Sequence, residues 1–377
     1  MNVLLNASNL RFGGGLTVGL NLIEGLLIAR PQHHFYLLYP ARLGYEAFSK
    51  YPNITLFPLP DSFHVSFISK LWHNEYLFKR LCKRWHIDKV ISLGNIGFPS
   101  GGRPQLVLIH LPHLVYPESP AWKHMEWHDF LRNSFMDQYA AYHLRFASMY
   151  AVQTEVMRAR LCKRFDIPER KVYLLPNAAS RSRTSGKLSS EIILPEGKFN
   201  LLFLSKYYSH KNFEILIPLA KLIRERNLPI TFTLTIKSRE AKGAARLMKQ
   251  VRDNDLRDII QSVGHIPPDE VQSLLSAHDG LFLPTLLESF SGAYAEALHC
   301  NVPIFTSHYD FATAILGDAA FYFDPLKAEH ILHTIQSAME HPRLIEEKKE
   351  KMQSFAGFMP DWKEITGKFS ELIDTFA

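Results

Sequence analysis

The chain has 377 residues, of which 46% are hydrophobic and 21% charged, and its formal net charge is +6. This composition is close to that of soluble globular proteins and argues against disordered, collagen-like and coiled-coil chains. At roughly 150 residues per domain, the length predicts two or three domains. The longest apolar runs stop well short of the roughly 20 residues that cross a bilayer, so no membrane span is predicted.

The cysteines and the N-terminus indicate a reducing compartment. Cys82, Cys162 and Cys300 lie far apart and match neither a disulfide scaffold nor a metal site. No secretory signal is predicted, because the first apolar segment runs straight into Arg11 and a glycine run without a small-residue cleavage site. We therefore expect a cytoplasmic protein whose excess positive charge suits anionic small molecules or the inner membrane surface.

Short β-rich apolar segments alternate with helical patterns along the first half of the chain. Such alternation is typical of a parallel sheet with helices on both faces. An α/β, doubly wound, Rossmann-like domain is therefore predicted for residues 1–180. Its strands are predicted at 2–6, 34–39, 54–57, 89–93, 105–109, 148–152 and 171–174, and its helices include 16–29, 122–146 and 155–165.

The second half repeats this alternation after a linker. Residues 176–197 are rich in Asn, Ser and Arg and almost lack apolar periodicity, which predicts a linker at residues 181–197. A second Rossmann-like domain is predicted for residues 198–358, followed by a C-terminal helix within residues 359–377. Its strands are predicted at 200–204, 231–236, 259–263, 280–283, 302–306 and 320–323, and its helices include 212–226, 328–339 and 344–355.

Two strand-end features of the first domain are candidate ligand sites. Gly14 and Gly15 lie between the first strand and helix, where a helix N-terminus offers free N–H groups to an anion, although a tight turn explains them about as well. An NAD site is disfavoured because Val18 replaces the third glycine of the dinucleotide fingerprint. His110 follows an apolar strand at the edge where open α/β sheets bind ligands, although most histidines in such positions are structural.

A basic and aromatic segment at residues 70–85 is a third feature of the first domain. Its Lys and Arg residues are interleaved with Leu, Phe and Trp. Such a helix can bind an anionic membrane surface. An ordinary solvated face, in which long basic side chains cover apolar surface, explains the pattern at least as well.

Charged residues follow two strands of the second domain. Lys206 and Lys211 lie where two cations and a helix terminus can meet a diphosphate. Glu288 falls in the loop after residues 280–283, and Glu296 falls inside the next helix. A carboxylate on an apolar helix is costly unless it is paired or binds a ligand, so Glu296 is predicted to bind ribose hydroxyls, with a carboxylate bonded only to protein as the alternative.

These motifs together resemble those of the GT-B glycosyltransferases, in particular the retaining family 4, also called glycosyl transferases group 1. Glu288 and Glu296, with seven residues between them, resemble the second-domain signature of that family. The other matching motifs are Ser205-Lys206 with Lys211-Asn212, Val263-Gly264-His265-Ile266, Gly13-Gly14-Gly15 and Leu175-Pro176-Asn177-Ala178.

The resemblance implies two Rossmann-like domains that face each other across a cleft, with the C-terminal helix returning to the first domain. It implies polysaccharide biosynthesis by an enzyme that moves a sugar from a nucleotide-diphosphate sugar to a glycan or lipid-linked acceptor, with retained configuration. The nucleotide sugar is then a co-substrate, and neither a cofactor nor a metal is expected.

The resemblance also implies a role for each site residue. Glu296 would hold the ribose, Glu288 the transferred sugar, and Lys206 with Lys211 the diphosphate. His110 would act beside the sugar and the leaving phosphate. Further donor contacts are implied for Gly14, Gly15, His265, Ile266, Phe290, Ser291 and Gly292.

Departures from the family pattern leave alternatives open. Lys206 stands where the family has Arg, and Ser289 and Ser291 stand where it has glycines. A nucleotide-sugar epimerase or a sugar phosphorylase on the same fold remains an alternative, as does a catalytically silent nucleotide-sugar-binding subunit. Nucleic acid is not expected as a partner.

Overall fold

The computed structural model describes residues 1–11, 13–60, 73–178, 192, 194–358 and 360–376. The chain divides into two compact units. The first comprises Met1–Pro117, Trp127–Ala178 and Pro360–Ala377, and the second comprises Glu118–Glu126 and Ala179–Met359. Most of the predicted linker lies outside the described residues. Within those residues, no helix combines the length and the apolar composition that a bilayer crossing requires.

The first unit is built on a parallel sheet of seven strands in the order β3-β2-β1-β4-β5-β6-β7. The order reverses between β1 and β4, and ligands of open α/β sheets bind outside the carboxyl ends of strands at such a point. The strands are β1 (Asn2–Asn6), β2 (His34–Pro40), β3 (Ile54–Leu59), β4 (Lys89–Ser92), β5 (Gln105–Leu108), β6 (Met149–Val152) and β7 (Val172–Leu174). The helices are α1 (Gly13–Ala29), α2 (Phe78–Arg84), α3 (Trp127–His143) and α4 (Glu155–Phe165).

The second unit repeats the plan with six parallel strands in the order β10-β9-β8-β11-β12-β13. Its order reverses between β8 and β11, so the loops after these two strands are neighbours. The strands are β8 (Phe199–Phe203), β9 (Ile230–Leu234), β10 (Ile260–Ser262), β11 (Gly280–Leu283), β12 (Ile304–Ser307) and β13 (Phe321–Phe323). The helices are α5 (Leu216–Glu225), α6 (Lys242–Asp253), α7 (Val271–Ser276), α8 (Gly292–Cys300), α9 (Asp310–Leu316), α10 (Ala328–Glu340) and α11 (Pro342–Phe358).

The predicted α/β architecture is confirmed, and its central strands show why the sequence pattern was informative. Every residue of β5, β11 and β12 is buried. Strands covered by helices on both faces have no solvated side, so they appear in the sequence as continuous apolar runs. The runs at residues 105–109 and 280–283 are of this kind.

Several predicted helix boundaries were wrong. Helix α1 begins at Gly13, so the first turn of the helix contains the glycines expected in a loop. The helix predicted at 122–146 is a 3₁₀ turn (Pro120–His124) followed by α3, because Met125 between them has an extended backbone. Helix α5 begins at Leu216, after Asn212 adopts a left-handed φ of 61°.

The C-terminal helix α12 (Trp362–Thr375) packs against α1 in the first unit, which confirms the predicted return. The Arg30 guanidinium lies 3.0 Å from the Asp374 carboxylate, and Lys89 Nζ donates to the Ile373 carbonyl at 2.8 Å. The two helices meet at Gly25, where a Cβ atom would overlap the side chain of Thr366. A glycine is therefore needed for this close approach.

We predict opposite effects for two Gly→Ala substitutions at this helix pair. Gly25→Ala should lower the free energy of unfolding by about 1–3 kcal/mol, because the new methyl group overpacks against Thr366. Gly367→Ala, in α12, should raise it by roughly 0.5–1 kcal/mol, because the helix gains propensity and the methyl group meets no atom within 4 Å. Calorimetric unfolding of both variants measures the difference, and equal stability of the two would contradict the contact.

Candidate functional site

The predicted donor-binding segments of the second unit form one surface. They follow β8 and β11, which are neighbours in the sheet. The Leu286 N–H donates to the His210 carbonyl at 2.7 Å, and the Thr285 hydroxyl donates to the same oxygen at 3.2 Å. The segment with the two lysines and the segment with Glu288 are thus held together by hydrogen bonds at the carboxyl edge of the sheet.

The structure pairs two of the predicted site residues with each other. Lys211 Nζ forms an ion pair with Glu288 Oε1, and each side chain is only 11% exposed. Burial of two charges is tolerated when they neutralise each other. The sequence did not reveal this pairing, and the contact of Lys211 with a diphosphate stays a prediction.

Lys206 differs from Lys211 in both exposure and pairing. Its side chain is exposed, and no group in the described part of the chain pairs with its ammonium. It lies five residues before Lys211, just beyond β8. Lys206 is thus the lysine of this segment that presents an available positive charge.

The N-terminus of α8 adds uncharged donors at the same edge. Ser291 is the N-cap residue, but its side chain makes no capping hydrogen bond. A Cβ at Gly292 would meet no atom within 4 Å, so the backbone there is openly approachable. Phe290 directly precedes this cap, and Glu296 lies half-buried in the second turn. A helix N-terminus of this kind attracts anions through its free N–H groups and its dipole.

Glu240 lies at the same edge of the sheet, and the sequence analysis did not single it out. Its carboxylate accepts from the Tyr207 N–H at 2.6 Å and from the Lys237 N–H at 3.0 Å, and it contacts His265 Nε2. It thereby joins the loops after β8, β9 and β10. Burial raises the pKa of Glu240, but the two backbone N–H donors and the His265 ring more than offset this and lower it.

His265 and Ile266 lie in the loop after β10. Gly264, just before them, has a φ of +80°, which a glycine adopts without strain. The Glu240 contact fixes the His265 ring, and Ile266 is half-buried. The sequence offered no signal for this contact, because a glutamate between Arg239 and Ala241 in a polar loop resembles any solvated charge.

The first unit presents His110 at the carboxyl end of β5. Asn95 Oδ1 accepts from the His110 N–H at 2.5 Å and from the Leu111 N–H at 2.8 Å. Burial lowers the pKa of His110 to about 4, so its ring is neutral at pH 7. Within the described residues, Nε2 is shielded from solvent and has no hydrogen-bond partner. Direct contact with a substrate would therefore require a rearrangement that exposes Nε2.

The other predicted features of the first unit are less distinctive. A Cβ at Gly14 would meet no atom within 4 Å, and one at Gly15 would lie 3.5 Å from Leu10. Neither position therefore requires glycine to avoid a clash, and the predicted donor contacts of Gly14 and Gly15 stay predictions. His113 is also buried, in a 3₁₀ turn, and burial lowers its pKa to about 4.

The basic segment at residues 70–85 is described only from residue 73 onward. Phe78 and Leu81 are buried, and the Trp85 ring stacks on Tyr36 with 4.8 Å between centroids. These apolar side chains pack into their own unit, so they are not available to insert into a bilayer. The solvated-face interpretation is therefore favoured, and membrane contact stays a prediction.

Comparison with known families supports the resemblance based on the motifs. Residues 186–356 match the family model described as glycosyl transferases group 1. A D-inositol 3-phosphate glycosyltransferase from Pseudarthrobacter chlorophenolicus is 30% identical over 110 residues, 29% of this chain and 26% of the relative. One from Arthrobacter sp. is 29% identical over 170 residues, 40% of this chain and 38% of the relative. The chain thus matches less than half the length of these curated relatives.

The solved structures match the whole chain in fold. HepE from Anabaena, determined in complex with UDP and glucose, aligns with a TM-score of 0.69 over 100% of both chains at 15% identity. The two parallel sheets and this likeness identify the fold as GT-B. The predicted GT-B fold is confirmed, and the assignment to the retaining family 4 stays a prediction.

We predict that the Lys211–Glu288 pair stabilises the second unit only as a pair. Lys211→Met or Glu288→Gln alone should lower the free energy of unfolding by about 3–5 kcal/mol, because each change leaves a buried group without its partner. The double variant should lose clearly less than the sum of the two single losses.

The exposed pair between Lys249 and Asp253, 2.9 Å apart, provides the matched control. Lys249→Met should change stability by no more than about 0.5 kcal/mol, since exposed pairs on a helix contribute little. Calorimetry of these variants gives the coupling energy. Additive losses for the Lys211 and Glu288 variants would contradict a buried pair.

Proposed function

We propose that this chain transfers a sugar from a nucleoside-diphosphate sugar to an acceptor hydroxyl. Its residues 186–356 match the glycosyl transferases group 1 model, and its fold is GT-B. One observation supports this proposal most strongly. Lys206, the Lys211–Glu288 pair and the N-terminus of α8 lie at the same edge of the second sheet. The curated relatives are named as glycosyltransferases, and the HepE structure contains UDP and glucose, which supports the same chemistry.

The positive charge of this edge suits the donor diphosphate. Lys206 would contact the phosphates with its exposed ammonium, and the first N–H groups of α8 would donate to them without a counter-charge of their own. Breaking the bond to the sugar builds negative charge on the leaving phosphate. Fixed donors that already point at this position stabilise that charge without reorganisation.

The two glutamates would bind different parts of the donor. Lys211 neutralises Glu288 and fixes one of its oxygens, which leaves the other carboxylate oxygen to accept from hydroxyls of the transferred sugar. Glu296, in the second turn of α8, would accept from the ribose hydroxyls. Glu240 would hold His265 and Ile266 beside the nucleotide.

The acceptor and the cellular setting are proposed from the motif resemblance alone. We propose a glycan or lipid-linked acceptor, a retained configuration, and a cytoplasmic enzyme of polysaccharide biosynthesis, with His110 as a neutral hydrogen-bonding group near the sugar.

Among the described residues, no group of three or more His, Cys, Asp or Glu side chains could hold a metal. We also propose metal-independent turnover, and loss of activity in excess chelator would overturn that part.

We predict that titration of bare nucleotides separates the roles of Lys206 and Glu296. UDP, GDP and ADP are first ranked by how far each raises the melting temperature of the full chain. The nucleotide that raises it most, and its nucleoside, are then titrated separately by calorimetry. Lys206→Met should weaken diphosphate binding about tenfold and leave nucleoside binding nearly unchanged, because one charge-assisted hydrogen bond is lost. Glu296→Gln should weaken both ligands, because both contain the ribose.

Lys221, an exposed lysine on α5, provides the matched control for the loss of one positive charge. Lys221→Met should bind both ligands as the wild type does. Equal weakening of nucleoside and diphosphate by Lys206→Met would contradict a phosphate contact, and absence of binding by every nucleoside diphosphate would contradict the proposed function.

A further inference from the structure

We propose that Ser119 is a positioning residue for the loop that carries Glu288, and that Glu118–Glu126 acts as a brace for this loop. The inference rests on the proposed function, because Glu288 matters only if it contacts the donor sugar. The evidence for this positioning role is a set of contacts in the structure that the family motifs do not include. The brace lies between β5 and α3 in the chain, yet it clusters with the second unit.

The hydroxyl of Ser119 uses both of its hydrogen-bonding capacities in these contacts. It donates to the Leu286 carbonyl at 3.0 Å and accepts from the Ala121 N–H at 3.2 Å, and the residue is only 6% exposed. The second bond caps the 3₁₀ turn Pro120–His124. The turn therefore fixes the serine, and the serine in turn fixes Leu286.

Leu286 is held on both sides of its backbone. Its carbonyl accepts from Ser119, and its N–H donates to the His210 carbonyl at 2.7 Å. Glu288 follows two residues later and is joined to Lys211, the residue after His210. The brace, the Glu288 loop and the lysine loop therefore form one continuous set of hydrogen bonds and ion pairs.

The far end of the brace is attached independently. Glu126, its last residue, forms an ion pair with Arg246 on α6. Both side chains are substantially exposed, so this contact contributes little stability by itself. It is a second attachment of the brace within the second unit, whereas the buried Ser119 bond contacts the Glu288 loop directly.

Loss of the Ser119 hydroxyl leaves a buried carbonyl without its donor, which frees the loop on one side. Glu288 would then sample positions away from the sugar, whereas the nucleoside diphosphate would still be bound by Lys206 and α8. A small misplacement of a catalytic group can reduce turnover strongly while ground-state binding is retained. We therefore expect a selective effect on kcat.

The test compares Ser119→Ala with Ser119→Thr, which retains the hydroxyl. Ser119→Ala should lower kcat for the nucleotide sugar that the wild type uses about tenfold or more, with the Kd of the bare nucleoside diphosphate changed less than twofold. Hydrogen exchange, followed by mass spectrometry, should become faster in the peptide that contains residues 284–290. Ser119→Thr should restore slow exchange and most of the kcat.

Each outcome distinguishes this inference from the proposed function. The positioning role would be overturned if the wild type turns over a nucleotide sugar and Ser119→Ala has the same kcat and the same hydrogen exchange as the wild type. A lower melting temperature with normal kcat per folded molecule would reduce Ser119 to a structural residue and overturn it as well. If the wild type uses no nucleotide sugar, the proposed function fails, whereas faster exchange in Ser119→Ala would still support the brace.

Discussion

The Lys211–Glu288 ion pair is the interaction on which the candidate site depends. An unpaired carboxylate would repel the phosphates proposed to bind beside it and would be costly to bury on its own. Pairing with Lys211 removes that net charge and fixes the glutamate in place. The positive potential at this edge then comes from the exposed Lys206 and from the N-terminus of α8. Under the proposed function, the site thus combines a glutamate paired with Lys211 and a surface that would bind the donor phosphates.

The parallel sheet makes this arrangement possible. All strands of the second unit end at the same edge, and the order reverses between β8 and β11. The loops that follow these strands are therefore adjacent although about 80 residues separate them in the chain, as the pairing of β8 with β11 shows. Glu240 extends the same principle to the loops after β9 and β10. The scaffold brings the loops together, and buried polar contacts set their conformations.

Much of the fold could be predicted from the sequence because buried parallel strands and their helices have strong local patterns. The strands at residues 2–6 and 280–283 are predicted to the residue. Helix starts were less predictable, because a glycine run such as Gly14-Gly15 fits the first turn of α1 as well as it fits a loop. The brace at Glu118–Glu126 also escaped prediction, because its place in the second unit is set by contacts such as Ser119 with Leu286.

In the candidate site, too, local sequence features could be predicted, whereas contacts between distant residues could not. The spacing of Glu288 and Glu296 was enough to predict a donor site at this loop and helix, because that signal lies within one short segment. The pairing of Glu288 with Lys211 joins residues far apart in the chain, and no local pattern contains it. Glu240 and Asn95 were missed for the same reason, since each acts by accepting hydrogen bonds from backbone N–H groups of distant loops.

A crystal structure of the full chain with the most strongly stabilising nucleoside diphosphate tests the central claim most directly. The account predicts the phosphates at Lys206 and the N-terminus of α8, the ribose at Glu296, and an intact Lys211–Glu288 pair. A nucleotide bound elsewhere, or phosphates that displace Glu288 from Lys211, would contradict it.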